Sequence, residues 1–186
     1  MGPAGFLRDD EKYSDFLKGE LENLFTLREF SKGDHLFRQG EFCRHLYYIK
    51  KGLIRIYYYS LKGKEVTEWF SSEGSIITAV DSFYLNKPTR NNCEAVEDLT
   101  VYTITYANLE AILNNKNGAQ MIFFILYEVA QKMVDLIDSI KTQSAEERYK
   151  SLINKNPIIL QKVPLGQIAS FLGITQETLS RIRGKI

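Results

Sequence analysis

Five polar side chains near the C-terminus carry the clearest chemistry in this 186-residue chain: Gln176, Glu177, Ser180, Arg181 and Arg183. They flank Leu179 and Ile182, whose spacing turns them away from an apolar face if the segment is helical. Arginine can donate two parallel hydrogen bonds to guanine, glutamine matches adenine, and glutamate accepts from cytosine. Thr175 precedes them as an N-cap, and Glu177 places negative charge in the first turn that follows. Upstream, Pro164 or Leu165 opens a first helix with Ile168 and Leu172 on one stripe, Ala169 permits close helix approach, and Gly173 supplies the sharp turn. PLGQIASFLGITQETLSRIRGKI therefore has the spacing of a helix-turn-helix, whose second helix enters a major groove. The predicted DNA contacts are Thr175, Gln176, Glu177, Ser180, Arg181, Arg183 and Lys185. A helical hairpin with a merely wet outer face is the plainer reading, but alanine, glycine and the apolar residues all sit at the motif's positions.

Charge distribution supports the DNA reading. From Lys141 onward there are eight Lys and Arg against three Asp and Glu, a surplus of +5 that leaves residues 1–140 at −4 against the chain's net +1. A basic C-terminal module on a mildly acidic partner fits DNA binding at one end and another task at the other. The two cysteines, Cys43 and Cys93, are too few and too far apart for a zinc ribbon or a cysteine-held iron–sulfur cluster, and read as buried thiols of a reducing compartment. The N-terminus has no signal-peptide pattern, and the longest strongly apolar run, Met121–Tyr127, is too short to span a bilayer. A soluble, cytoplasmic protein without membrane partners is expected.

The elements that would position this module come earlier. Residues 1–28 read as a helix, with Phe16, Leu17, Leu21, Leu24 and Phe25 forming a packing face. From about Phe30 to Tyr106, glycines at 33, 40, 52, 63 and 74 separate short β-rich runs: His45–Lys50, Leu53–Ser60, Val66–Phe70 and Val101–Thr105. This spacing predicts a small antiparallel β-roll. In Leu53–Tyr59, Ile54, Ile56 and Tyr58 alternate with Leu53, Arg55, Tyr57 and Tyr59, so one face can be core and the other partly wet. No G-x-G-x-x-G or G-K-[ST] is present, so the glycines make turns rather than cradle phosphate. Residues 118–141 return to helical spacing, and Ile122, Leu126, Val129, Met133, Leu136, Ile137 and Ile140 make a near-heptad stripe that predicts a dimer seam. A short helix around Ser144–Tyr149 and a turn near Asn156-Pro157 follow. Expected domains are 1–117 (roll with N-terminal helix), 118–141 (dimerisation helix) and 142–186 (DNA binding).

Taken together, FSKGDHLFRQGE, LYYIKKGLIRIYY, Gly63-Lys64-Glu65, KPTRNNCEAVED and IASFLGITQETLSRIR make the chain resemble the Crp/Fnr family of bacterial transcription regulators, from about Leu21 to Ile186. The resemblance implies an α+β fold: a cyclic-nucleotide-binding-like jelly roll, a dimerising helix, and a C-terminal helix-turn-helix. It implies double-stranded DNA, probed as a palindrome by a homodimer, and RNA polymerase as partners. The family's base-reading positions fall on Gln176, Glu177 and Arg181.

Departures from the family pattern bear on the effector. Cyclic-AMP binders carry a Gly-Glu pair and an Arg-Ser pair, which here become Thr78-Ala79 and Thr89-Arg90. Ala79 cannot accept a ribose hydrogen bond and Thr89 cannot neutralise a phosphate, so cyclic AMP is not expected to bind. The candidate effector pocket is nevertheless placed at Ile77, Thr78, Ala79, Thr89, Arg90 and Asn92. No cofactor is predicted: haem could in principle use His35 or His45, each of which reads better as a strand-end or loop residue. Winged relatives continue into a β-hairpin, and with the chain stopping at Ile186 a complete wing is not expected. No metal site or catalytic residue is predicted. A jelly-roll metal enzyme would need more histidines than His35 and His45, and no G-x-S-x-G elbow is present. A pure interaction module with a degenerate helix-turn-helix is the remaining alternative.

Overall fold

The computed structural model describes residues 22–114 and 116–184. Eight strands form two four-stranded antiparallel sheets. β1 (Thr26–Phe30), β8 (Leu99–Thr105), β3 (His45–Lys51) and β6 (Ile76–Ile77) lie in that order in one, and β2 (His35–Phe37), β7 (Asn92–Ala95), β4 (Ile54–Tyr59) and β5 (Glu65–Ser71) in the other. Ile49, Ile54, Cys93, Leu99 and Val101 share the buried core between them. β3 turns into β4 through Gly52, which only glycine can occupy: its φ is +107°, and a Cβ would stand 2.8 Å from the Asp98 carbonyl oxygen.

Two expectations are corrected in the roll. The helix expected over residues 1–28 does not hold for its described part: after a single 3-10 turn at Glu22–Leu24, Thr26–Phe30 is a strand paired with Leu99–Thr103. The apolar spacing of Leu24 and Phe25 suited a helix locally, but pairing with a strand some 75 residues away decides the conformation. Phe16, Leu17 and Leu21 lie outside the described residues. The second correction concerns β4, whose expected wet face is largely dry. Arg55 is 2% exposed and Tyr57 5%, while Leu53 is buried beneath the C-terminal helices, so only Tyr59 is open to water. A register shift between Ile56 and Tyr57 marks a bulge in the β4–β5 pair.

Seven helices complete the described chain. α1 (Val80–Leu85) crosses from β6 towards β7, and α2 (Tyr106–Leu113) follows β8 behind a Thr105 N-cap. α3 (Lys116–Thr142) is the long helix, two residues longer at its start than expected. α4 (Ala145–Lys155) begins in a capping box: Ser144 Oγ accepts from Glu147 N–H while the Glu147 carboxylate accepts from Ser144 N–H. α5 (Ile158–Lys162), α6 (Leu165–Phe171) and α7 (Gln176–Arg183) close the chain.

The C-terminal helices share a core with the roll. Leu53, Phe70 and Val96 of the sheets pack with Tyr149, Ile159, Ile168 and Leu179 in one buried cluster. α6 lies against β5, where the Phe171 and Phe70 rings meet edge to face at 5.4 Å. β5 is an edge strand, and the Thr67 N–H donates to Ser170 Oγ at 3.0 Å. Lys162 pairs with Glu97, and Asn156 Nδ2 donates to Ser72 Oγ at 3.3 Å.

Candidate nucleic-acid interface and effector cavity

The turn between α6 and α7 follows from three residues. Gly173 has φ +68°, its N–H donates to the Ser170 carbonyl, and the Ile174 N–H reaches back to the Ala169 carbonyl. That paired pattern is a Schellman motif, which ends α6 and satisfies carbonyls that would otherwise be orphaned. Thr175 then caps α7, its Oγ1 accepting the Thr178 N–H at 3.2 Å. Ala169 and Ile168 of α6 and Leu179 and Ile182 of α7 are buried together, which fixes the angle and rotation of the second helix.

That rotation sends the predicted polar set outward. Thr175, Gln176, Glu177, Ser180, Arg181 and Arg183 are all exposed on one helix. The Glu177 carboxyl is held below the ordinary carboxylate range by hydrogen bonds from its own backbone N–H and from the Thr175 side chain, so it is ionised at neutral pH. Arg181 Nη2 lies 3.3 Å from the Thr178 hydroxyl, and among the described residues no carboxylate makes an ion pair with Arg181 or Arg183. Their charge is therefore free for an outside anion. Lys185 lies outside the described residues.

α3 carries more apolar surface than one stripe. Phe123, Leu126, Tyr127, Met133, Val134, Ile137 and Ile140 are each half or more exposed. Ile122 packs on a small cluster with Phe83, Ile104, Leu109 and Ile112, so the start of the predicted stripe faces its own roll. Leu136 is half-buried; the Val129 side chain is outside the described set. Sequence reading missed Phe123 as more than a widening of the stripe, and Tyr127 and Val134 altogether. The signal was present in the heptad spacing of 123, 127, 130, 134 and 137 beside that of 122, 126, 129 and 133.

The six residues expected at the effector pocket do not converge. Ile77 and Thr78 line a cavity of about 320 Å³ between the roll and α3. Ala79 packs against the inter-sheet core, and Thr89 is buried in the loop before β7, where its N–H and carbonyl pair with Glu41 and Gly40. Arg90 points to solvent, 77% exposed, and pairs with Glu68 at 3.2 Å. Asn92 faces the other way because β7 alternates: Cys93 fills the core, so its neighbours on either side look outward. Asn92 lines a shallow polar pocket with His35, Arg38 and Tyr57, in which His35 Nε2 lies 3.1 Å from the Tyr57 hydroxyl and its Nδ1 lies 3.3 Å from Arg38 Nη2. Burial, then the neighbouring Glu94, pushes the Tyr57 phenol up to about 12.

Residues 27–116 match the model of the cyclic nucleotide-binding domain. Fold and match define the class: a cyclic-nucleotide-binding-type roll with a C-terminal helical unit. Over 89% of its length the chain is 26% identical to the fumarate and nitrate reduction regulatory protein of Yersinia pestis, covering 71% of that protein. Its fold is similar to that of FixK2 from Bradyrhizobium japonicum (TM-score 0.71, 18% identity, 87% of this chain and 83% of that one). A protein described as a Crp/Fnr-family transcriptional regulator from Eubacterium rectale is similar over 97% of this chain and 87% of its own (TM-score 0.70, 17% identity). The chain thus carries a cyclic nucleotide-binding-type domain and is similar over most of its length to regulatory proteins. The Yersinia pestis and Eubacterium rectale relatives are both named as regulators.

Proposed function

We propose that this chain is a sequence-specific DNA-binding regulator that acts as a homodimer, with residues 1–117 as sensor, 118–141 as dimerisation helix and 142–186 as the DNA-binding unit. The observation that carries this reading is the segregation on α7: Leu179 and Ile182 are buried against α6, while Thr175, Gln176, Glu177, Ser180, Arg181 and Arg183 are exposed. Arg181 reads guanine, Gln176 adenine and Glu177 cytosine, while Thr175, Ser180 and Arg183 hold the backbone. Leu136, Ile137 and Ile140 form the seam of a dimer whose paired α7 helices read a palindrome, and Phe123, Tyr127 and Val134 widen that seam.

The test is selection of duplexes from a random pool, with and without cyclic nucleotides. A palindrome recovered in both conditions is expected, with an affinity that falls steeply with salt. Arg181→Ala should relax selection at one base position and weaken binding by about 1–3 kcal/mol. A protein that selects no sequence in buffer or in cell extract, and whose duplex affinity ignores salt, would be an interaction module instead.

A further inference from the structure

We infer that the effector of this chain is an uncharged, predominantly apolar molecule held in the cavity between the roll and α3; this rests on the sensor reading above. The cavity, about 320 Å³, falls at the lower end of the range that holds small organic ligands, ~300–1,000 Å³. Among the described residues lining it there is no Asp, Glu, Lys, Arg or His. An anion entering it would shed its hydration shell and meet no cation among those residues in return. Arg90, the arginine expected at the pocket, is turned to solvent and occupied by Glu68. The walls are instead Trp69, Tyr84, Ile77, Ile104 and Leu109, with hydroxyls from Ser71, Ser75, Thr78, Tyr48 and Tyr84. Of these, the Thr78 hydroxyl already donates to the His45 carbonyl at 3.1 Å.

The cavity's position gives the occupant leverage. Ile122, Leu126 and Met133 of α3 form its third wall, so one molecule touches the sheets and the long helix together. Leu126 and Met133 are more than half exposed and mark the mouth. A ligand that fills the gap stabilises the arrangement in which α3 lies against the roll, which is the differential contact a population shift requires.

The single tryptophan of the chain makes the cavity directly observable, because Trp69 lies in its wall. Titrating the full-length protein with N-phenyl-1-naphthylamine, a neutral apolar fluorophore that accepts energy from tryptophan, should quench Trp69 saturably at one probe per protomer. Decanol should compete, whereas decanoate and cyclic AMP should not. Ser75→Phe and Val80→Phe, which fill the cavity from two sides, should each weaken the probe by about tenfold or more, with circular dichroism verifying the fold. Absence of quenching, competition by decanoate or cyclic AMP as strong as by decanol, or indifference to both filling variants would overturn the proposal. So would quenching that vanishes as protein concentration rises, since a second copy would then be filling the space. DNA selection run in parallel separates the two readings: a selected palindrome without probe binding rejects the apolar effector alone. Probe binding without any selected DNA upholds the cavity ligand and rejects the regulator.

Discussion

Arg55 shows how a single side chain can be hidden from sequence reading. Its alternation with Tyr57 and Tyr59 placed it on a half-wet face, yet its guanidinium is buried, with Nε 2.8 Å from Glu94, Nη1 2.5 Å from Glu65 and the Tyr57 ring stacked at 4.0 Å from its carbon. The period-two pattern was correct; what it lacked was the identity of partners 39 and 10 residues away. Arg55→Met should cost about 3–5 kcal/mol in a urea unfolding experiment, because it strands the largely buried Glu94 carboxylate. A loss below ~1 kcal/mol would mean that water rescues that carboxylate. Gly173 is the opposite case, legible at once as a turn glycine. A Cβ there would meet nothing within 4 Å, so Gly173→Ala should lose only the cost of left-handed backbone, about 1–2 kcal/mol, and Gly173→Asn less.

At the scale of elements, the long and punctuated segments were readable and the short ones were not. α3, α6 and α7 declared themselves through spacing and caps, and β3, β4, β5 and β8 through β-rich runs between glycines. β1, β2, β6 and β7 have five residues or fewer, and α1 six, so each carries too few periods to signal. α4 offers a test of local capping. The Glu147 carboxyl is held below its usual range by the backbone N–H and then the hydroxyl of Ser144. A depressed carboxylate adds stability above its unfolded value, and that stability is lost as pH falls through the folded value. Glu147→Gln should therefore flatten the acid limb of the pH–stability curve, while Ser144→Ala should cost about 1 kcal/mol at neutral pH. For α3, Ile137→Asp should convert a dimer to monomer in sedimentation velocity without loss of helix by circular dichroism; an unchanged dimer would place the seam elsewhere.

For the molecule as a whole, periodicity describes each segment against its own face and is silent on which faces meet. Nothing in Leu53, Phe70 or Val96 announced that they would be covered by Tyr149, Ile159 and Ile168. That shared core makes the roll and the C-terminal helices one cooperative unit. Thermal unfolding followed by Trp69 emission, which reports the roll, should coincide with unfolding followed by helical circular dichroism. Two separated midpoints would show that the contact is too weak to couple them.

The bond between the Thr67 N–H and Ser170 Oγ has a further consequence. β5 lies at the border of its sheet, and such a border, left bare, invites a strand from another molecule. α6 covers it like a hem. Any regulatory motion that swings the helical unit outward must uncover this border, and the open form would then be the one at risk of swapping strands and of fibre growth.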